Sequence, residues 1–439
     1  MPLAGLPIGK RSALLLDKEN MTKYSISPMS SLYELYLRHP RISTDSRRIE
    51  PDSVFFALRG ASFDGNRFAA DALEKGAAYA VVDDPSLPNT RPDKADRLIV
   101  VDDALQTLQT LAREHRRELG LPILAITGSN GKTTTKELVS RVLAEKYEVY
   151  ATRGNLNNHI GVPLTLLAMT RDVEFGIVEM GASACGEIAL LCSIAEPNYG
   201  IVTNIGRAHL EGFGGPELYD WLARTGGRVF VPANDPVLMS MAAERETLAA
   251  ECYPTTLADG VEHHLEGDYN RFNVAAAVAV GRYFGVDDER IRYAVGSYRP
   301  DNHRSQKIRT GQNTLILDCY NANPSSMQAS LVNFRQEPLE SCTRKILILG
   351  DMLELGDWSD AEHRHIISLA AEIPDARILL VGPHFAKAYR SLESRPADTT
   401  LYPSQEALAA ELRKHPVSQA LILVKGSHSI GLERLADLL

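Results

Sequence analysis

The sequence predicts a three-domain α/β protein. It has 439 residues, enough for two to four domains and a large core. Apolar strand-like runs alternate with helical runs in two separate segments, a pattern typical of mainly parallel sheets. A glycine-rich loop stands between a strand and a helix at residues 127–135. We expect a small N-terminal α/β domain over 21–120, a central parallel-sheet domain over 121–300 and a doubly wound domain over 301–439.

Composition narrows the class of protein. The chain is 44% hydrophobic and 23% charged, as in ordinary soluble globular proteins. Its net charge of −9 argues against a general nucleic-acid binder, although a local basic pocket for phosphates remains compatible with it. No apolar run approaches the roughly 20 residues needed to cross a bilayer. The five cysteines are odd in number and lack C-x-x-C spacing, so we expect buried, reduced thiols in a cytoplasmic protein.

The first 20 residues differ in pattern from the remainder of the chain. The apolar run within 11–16 is too short and too poorly flanked for a secretory signal. A more regular pattern begins after Met21. We therefore expect Met21 to be the functional start and residues 1–20 to be a disordered or artefactual extension.

The N-terminal domain combines short strands and helices. The segment 42–48 is polar and turn-like, and taken alone it reads as a solvated turn. The other predicted elements are helices at 31–37, 68–75 and 103–119 and strands at 54–58, 78–82 and 98–101.

The loop Thr127-Gly-Ser-Asn-Gly-Lys-Thr-Thr-Thr135 has the layout of a phosphate-binding loop. Glycines let backbone N–H groups close on an anion, and the following helix adds its partial positive charge. Lys132 is predicted to reach terminal phosphates and Thr133 to hold Mg²⁺. A plain tight turn is the alternative for a lone Gly-x-Gly, but Gly-Lys-Thr between strand and helix favours a nucleotide site. The loop is a short variant, because Ile126 stands where a distant glycine is usual.

Two polar side chains follow other strands of the central segment. Glu179 closes the apolar run 175–180, and His209 follows the strand 199–204. The alternatives are a core-paired glutamate and a hydrogen-bonded histidine. Ligands of parallel sheets bind beyond the carboxyl ends of the strands, so this position favours a functional site.

The third segment repeats an apolar strand followed by a glycine-containing turn. This repeat predicts a second doubly wound, Rossmann-like domain. Because its strands carry no phosphate loop, we expect this domain to supply the other substrate. The predicted strands are 314–318, 345–350, 377–382 and 420–426, with helical stretches at 361–372, 405–414 and 430–438.

Several motifs, in order along the chain, resemble the Mur ligases, the amide-forming enzymes of peptidoglycan precursor synthesis. The loop 127–135 is similar to their ATP loop, and 44–47 with 63–66 resembles the nucleotide-sugar domain of two members. The element Asp318-Cys-Tyr-Asn-Ala-Asn-Pro324 is the most discriminating. Together with 179–183, 186–188, 203–214 and 302–306, it resembles the member that adds D-alanyl-D-alanine.

The resemblance implies an ATP-dependent ligase that acts through an acyl phosphate. The γ-phosphate of ATP activates a peptide carboxylate, and an amine then displaces phosphate, which requires charge neutralisation and alignment. The implied cofactors are ATP and Mg²⁺. The implied substrates are UDP-N-acetylmuramoyl-tripeptide and D-alanyl-D-alanine, with no nucleic acid and no membrane segment. We expect a monomer.

The resemblance also implies roles for individual residues. The implied catalytic residues are Lys132, Glu179 and His209. The implied Mg²⁺ ligands are Thr133, Glu179 and His209, and carboxylate and hydroxyl ligands suit that ion. The implied ATP-binding residues are Gly128, Ser129, Asn130, Gly131, Lys132, Thr133, Thr134, Asn270, Asn273, Arg304 and Asp318. The implied substrate-binding residues are Thr44, Asp45, Ser46, Arg47, Asn157, Asn158, Asn321, Asn323 and Ser325.

Within these sets the expected contacts differ. Residues 44–47 are expected at the uridine nucleotide, Asn270 and Asn273 at adenine, and Arg304 and Asp318 at phosphate and ribose. Asn157 and Asn158 are expected at phosphate or the incoming acyl group. Asn321, Asn323 and Ser325 are expected at D-alanyl-D-alanine. For Asn273 and Ser325 the alternative to ligand binding is a purely structural role in a turn or a helix cap.

One departure from the family concerns lysine. The family commonly has a lysine some ten or more residues after the segment 209–214, and its carbamylated form bridges or orients a second Mg²⁺. Here no lysine occurs between Lys146 and Lys307, and the stretch 253–267 is also short. Either the chain is a divergent, weakened ligase that still binds nucleotide, or the printed sequence omits segments of the natural protein.

Two other functions compete with the ligase. One is a sister enzyme, the third Mur ligase or a folylpolyglutamate-type ligase; 318–324 and the N-terminal domain argue against both. The other is a catalytically silent nucleotide-binding homologue, suggested by the missing lysine. Short linkers near 120 and 300 predict domain closure, with an open form that separates His209 from Asp318.

Overall fold

The computed structural model describes residues 28–60, 62–205, 215–300, 304, 306–353 and 355–439. His209 and the expected extension 1–20 lie outside the described residues.

The N-terminal domain is built on a four-stranded parallel sheet of order β1-β2-β5-β6, beside a two-stranded β3-β4 hairpin. The prediction of a turn at 42–48 is wrong for its first residues, because Ile42 pairs with Val54 in the sheet. The elements are α1 (Pro28–Arg38), β1 (Arg41–Ser43), β2 (Ser53–Phe56), β3 (Arg59–Gly60), β4 (Phe63–Asp64), α2 (Ala69–Glu74), β5 (Tyr79–Val82), α3 (Leu87–Thr90), β6 (Leu98–Val100) and α4 (Ala104–Leu119).

The central domain is a six-stranded parallel sheet of order β12-β11-β10-β7-β9-β8. Helices cover both faces, so every residue of β7 and β9 is buried. The elements are β7 (Ile123–Thr127), α5 (Lys132–Ala144), β8 (Val149–Ala151), α6 (Gly161–Leu167), β9 (Phe175–Glu179), α7 (Glu187–Ala195), β10 (Tyr199–Val202), α8 (Gly215–Thr225), β11 (Arg228–Pro232), α9 (Pro236–Ala243), β12 (Ala249–Tyr253), α10 (Asn270–Tyr283) and α11 (Asp288–Ser297).

Helix α4 joins the first two domains. The Asp103 side chain caps its start by accepting from the N–H of Gln106, and Gly120 ends it in a left-handed conformation. Leu108 and Leu111 are fully buried in a core that contains residues of both domains. The N-terminal and central domains therefore share one hydrophobic core across α4.

The C-terminal domain is a six-stranded sheet of order β13-β14-β18-β15-β16-β17, in which β13 alone is antiparallel to its neighbour. The predicted last helix is a 3₁₀ helix over Leu432–Leu438. The elements are β13 (Gln306–Arg309), β14 (Thr314–Asp318), α12 (Pro324–Gln336), β15 (Arg344–Gly350), α13 (Ser359–Ala371), β16 (Ala376–Val381), α14 (Pro383–Arg390), β17 (Thr399–Tyr402), α15 (Gln405–Lys414) and β18 (Ala420–Lys425). The predicted α/β fold class with parallel sheets is confirmed.

The cysteines form no disulfide, and all five lie in described ranges. Cys192 and Cys319 are buried, as expected, but Cys185 and Cys252 are exposed, so the expectation of burial is wrong for these two. Among the described helices, none has the length and apolar character needed to cross a membrane.

Candidate active site

A cavity of about 700 Å³ lies between the central and C-terminal domains. It opens at the carboxyl ends of strands from both sheets, where the sequence predicted the ligands. Its walls contain most of the predicted site residues: Ser129, Asn130, Gly131, Lys132, Thr133, Thr134, Asn157, Asn158, Glu179, Asn270, Asn273, Arg304, Asp318, Asn321 and Asn323. Gly128, Ser325 and residues 44–47 are not among the wall residues.

Two glycines shape the loop between β7 and α5. Gly128 has φ of 126°, and a Cβ there would lie 2.2 Å from Thr203 Oγ1. Gly131 has φ of 81°, and a Cβ there would lie 2.6 Å from Asn273 Oδ1. Both positions require glycine for conformation and for space. The loop backbone can therefore approach its neighbours closely.

The end of β10 holds this loop in place. Asn204 accepts from the N–H of Ser129 through its carbonyl at 3.0 Å and from the N–H of Asn130 through Oδ1 at 3.1 Å. The Asn130 carbonyl accepts from Thr203 Oγ1 at 2.5 Å and from Asn204 Nδ2 at 2.9 Å. Thr203 and Asn204 were not among the predicted site residues, although they end the predicted strand 199–204 and directly follow the observed β10.

Lys132 folds over the loop it follows. Its Nζ donates to the carbonyl of Gly128 at 2.6 Å and lies 3.4 Å from that of Ser129. Burial lowers the pKa of the Lys132 ammonium, and the nearby charge of Glu179 opposes that shift. An anion entering the cavity can replace these carbonyls as the partner of the ammonium.

Glu179 ends β9 at the cavity wall and is only 2% exposed. Its Oε1 accepts from Asn157 Nδ2 at 2.9 Å, whereas Oε2 has no hydrogen-bond partner among the described residues. The Lys136 ammonium lies 3.9 Å from Oε2 and donates to the Thr152 carbonyl at 2.7 Å. Lys136 was not predicted; the signal was a lysine on the buried side of α5. A buried carboxylate oxygen without a donor suits a cation ligand.

The two asparagines after β8 have different partners. Asn157 holds Glu179, as described, and its carbonyl accepts from the N–H of Gly181 at 2.8 Å. Asn158 Oδ1 accepts from the N–H groups of Ile160 and Gly161, and so fixes the turn that leads into α6. Their predicted contacts to phosphate or the acyl group stay predictions.

Asn270 and Asn273 lie in the first turn of α10 and are both buried. Asn270 donates to the Glu266 carbonyl at 2.7 Å and accepts from Asn273 at 2.8 Å. Asn273 in turn accepts from Thr135 Oγ1 at 3.0 Å. This chain fastens α10 to the phosphate loop; the adenine contacts stay predictions.

The C-terminal domain contributes cationic groups to the opposite wall. Asp318 Oδ2 accepts from Lys425 Nζ at 2.5 Å and from Ser330 Oγ at 2.8 Å. The Arg304 guanidinium lies 3.8 Å above the ring of Tyr320, and its Nε has no hydrogen-bond partner within the described part of the chain. Lys425 and Tyr320 were not predicted. The wall is suited to phosphate and to a planar ligand.

The asparagines predicted at the dipeptide occupy the start of α12. Asn323 is the N-cap of this helix and accepts from the N–H of Ser326 at 2.9 Å. Its Nδ2 donates to Asn130 Oδ1 at 2.9 Å, and Asn130 Nδ2 donates to Ser325 Oγ at 3.0 Å. The Asn321 side-chain oxygen Oδ1 accepts from the backbone N–H of Ala322 at 2.9 Å. The dipeptide contacts stay predictions, and cap duty is established for Asn323.

The predicted uridine contacts lie in the N-terminal domain, just after β1. Arg47 donates to both carboxylate oxygens of Asp45 at 2.9 Å, and this pairing lowers the pKa of Asp45 to about 2. The Ser46 carbonyl accepts from Lys75 Nζ at 2.7 Å. The Arg47 side chain is 87% exposed, so it can reach a ligand. The uridine role, including that of Thr44, stays a prediction.

Metal binding can be tested against the residues present. The described residues contain no cluster of three or more His, Cys, Asp or Glu side chains able to hold a metal ion. The orphaned Oε2 of Glu179 nevertheless fits a hard cation whose other ligands come from a nucleotide and a hydroxyl. The buried carboxylate oxygen thus fits a divalent cation, and the Mg²⁺ site itself stays a prediction.

Comparison with known proteins identifies the class. Family models match three successive segments: the Mur ligase family catalytic domain at 40–116, the Mur ligase middle domain at 126–220 and the Mur ligase glutamate ligase domain at 303–428. The chain belongs to the Mur ligase family.

Several relatives that are similar over most of the chain bear the same enzyme name. The UDP-N-acetylmuramoyl-tripeptide–D-alanyl-D-alanine ligase of Bacillus subtilis is 33% identical over 432 residues, covering 90% of this chain and 92% of the relative. The enzyme of the same name from Treponema pallidum is 34% identical over 440 residues, covering 91% and 93%. The crystal structure of MurF from Acinetobacter baumannii has a TM-score of 0.77 at 29% identity, covering 91% and 93%.

These comparisons also bear on the alternatives. They do not favour the silent homologue or a sister ligase. The alignment with the Bacillus subtilis enzyme has 432 positions but includes only 90% of the 439 residues of this chain, which is about 395. The remaining positions are residues of the relative that have no counterpart in this chain. That difference fits the short stretches noted in the central domain.

Proposed function

We propose that this chain joins D-alanyl-D-alanine to UDP-N-acetylmuramoyl-tripeptide at the expense of ATP. The products are the UDP-linked pentapeptide, ADP and phosphate. The observation that carries the proposal is the single cavity in which the phosphate loop, the buried Glu179 and the Asp318–Lys425 pair face one another. The relatives that bear this enzyme name over nine tenths of the chain support the choice of substrates.

The cavity suits an acyl-phosphate reaction. A carboxylate oxygen of the tripeptide attacks the γ-phosphorus and ADP leaves; the dipeptide amine then attacks the acyl carbon and phosphate leaves. Lys132 and the loop N–H groups bind the transferred phosphate and its neighbour. Arg304 and Lys425 add positive charge from the facing wall, where charge accumulates during transfer. Bond making thus depends on alignment inside a closed cavity.

Mg²⁺ belongs to this proposal. Thr133 and Glu179 would hold the ion, and His209 is expected to supply a further ligand. When bound, it would neutralise phosphate charge. The chain's own contribution is to hold the Glu179 carboxylate in place between Asn157 and Lys136. The five cysteines form no disulfide, which fits a reducing compartment, so we place the reaction in the cytoplasm.

A phosphate-release assay tests the proposal. We expect release that requires ATP, UDP-N-acetylmuramoyl-tripeptide and D-alanyl-D-alanine together, and Lys132→Met should abolish it. L-lysine, diaminopimelate or glutamate in place of the dipeptide should give none. Release with one of these amines would point to a sister ligase. Nucleotide binding without substrate-stimulated release would instead identify a silent homologue and refute the ligase.

A further inference from the structure

The phosphate loop and helix α12 are joined by side chains 193 and 195 residues apart in sequence. Asn323 Nδ2 donates to Asn130 Oδ1 at 2.9 Å, and Asn130 Nδ2 donates to Ser325 Oγ at 3.0 Å. Ser325 Oγ also donates to Asn323 Oδ1 at 3.0 Å, which closes a ring of three hydrogen bonds. We call Asn130, Asn323 and Ser325 the loop clamp.

Asn130 is held from two directions. Its backbone N–H and carbonyl are bonded to Thr203 and Asn204 of the central domain, while its side chain is bonded only across the cavity among the contacts described above. The Asn130 side-chain amide therefore accepts one hydrogen bond from the C-terminal domain and donates one to it. Separation of the domains would break these bonds while leaving the backbone anchors intact.

From this geometry we infer that Asn130 is a positioning residue that couples closure of the C-terminal domain to the shape of the phosphate loop. Asn130 precedes Gly131 and Lys132 directly, so its side chain is attached to the part of the loop that faces the nucleotide. With the clamp formed, the loop and the first turn of α12 share one set of bonds. The activating and amine-binding halves of the cavity are then aligned only when the domains are closed.

The clamp also changes the assignment of two predicted substrate contacts. In the closed arrangement, Asn323 and Ser325 use their side chains for Asn130 and for the cap of α12. They contribute to the dipeptide reaction through the loop. The inference rests on the proposed function only where it predicts turnover. Its prediction of domain closure does not depend on that function.

Ser325→Ala and Asn323→Ser test the clamp. Ser325→Ala removes the hydroxyl while leaving the cap intact, and Asn323→Ser keeps a capping residue but loses the amide donor. Each lost bond should shift the closed-to-open ratio by roughly threefold to tenfold. The ratio would be followed by the distance between one fluorophore on each of the two domains, with a non-hydrolysable ATP analogue. We expect kcat to fall by a similar factor and the dissociation constant for ATP to change less than about twofold.

Ser404→Ala is the matched control, because Ser404 caps α15 in the same domain through the N–H of Ala407. It should leave closure unchanged. Combining Asn130→Ala with Ser325→Ala should lower the ratio no further than Asn130→Ala alone. Wild-type-like closure in the clamp variants, or additive effects in the double variant, would overturn the inference. If the unmodified chain releases no phosphate, the proposed function fails, but the closure measurement still tests the clamp.

Discussion

Replacement of Lys136 by methionine tests how the buried Glu179 is supported. Both side chains are 2% exposed, and the ammonium lies 3.9 Å from Glu179 Oε2. At an effective dielectric constant of about 20, two charges at this distance attract by about 4 kcal/mol. Removing one partner of a buried pair commonly costs about 3–5 kcal/mol, since the remaining charge stays desolvated. Because Lys132 is a second cation near Glu179, we expect Lys136→Met to lower the free energy of unfolding by about 3 kcal/mol.

A double-mutant cycle separates this pair from simple loss of packing. Glu179→Gln leaves Lys136 bonded to the Thr152 carbonyl and beside Glu137, so it should cost about 1–2 kcal/mol. The double variant should cost about 2 kcal/mol less than the sum of the single changes. Glu137→Gln is the control, because Glu137 is 36% exposed and should matter by less than about 1 kcal/mol.

Urea denaturation followed by circular dichroism measures these differences. Additive costs would refute the reasoning, as would a cost for Lys136→Met below about 1 kcal/mol. Either result would mean that water reaches Glu179 freely and that the buried pair does not hold the carboxylate in place.

Two further predictions use the same denaturation assay. Gly131→Ala should lower the free energy of unfolding by about 2–4 kcal/mol, because the backbone there is left-handed and the new Cβ would overlap Asn273 Oδ1. Gly154→Ala is the control: φ is 55° but the space is open, so it should lower that free energy by only about 1–2 kcal/mol. Equal losses for the two variants would contradict the overlap. Burial and a hydrogen bond that the protonated Glu266 carboxyl donates to Glu337 raise the pKa of Glu266 to about 7, so the extra proton of the folded state is lost as pH rises from 5 to 8 and stability falls. Since Glu266 is partly exposed, Glu266→Gln should remove about 1 kcal/mol of that fall, and an unchanged slope would exclude this group as its source.

Much of the fold was predictable because the signals are local. The run 121–126, the loop and the following helix lie where the pattern placed them, and Asp103 and Gly120 mark the ends of α4 with recognised capping signals. The strands β11, β12 and β17 were not predicted. They are short or flanked by polar residues, and they acquire their order from neighbouring strands.

The supporting residues of the site were harder to predict. Lys425 meets Asp318 across 107 positions, and Lys136 in α5 meets Glu179 at the end of β9 although β8 and α6 lie between them in the chain. Such pairs have no spacing rule in sequence. The cap role of Asn323 was accessible, however, because asparagine followed by proline and then serine is a helix-start signal. The family resemblance implied that Asn323 contacts the dipeptide, whereas the local sequence already indicated a helix cap.

The positions of the cores bear on which joint opens. Leu108 and Leu111 are fully buried where the N-terminal and central domains share one core, and Arg116 of the same helix donates to the carbonyls of Ala195 and Glu196. Separating those two domains would expose apolar surface at about 25 cal/mol per Å² and leave the guanidinium without its partners. Within the described part of the chain, the two cores of the C-terminal sheet contain no residue of the other domains. We therefore expect the predicted closure at the joint between the central and C-terminal domains, which are the two domains that the loop clamp connects.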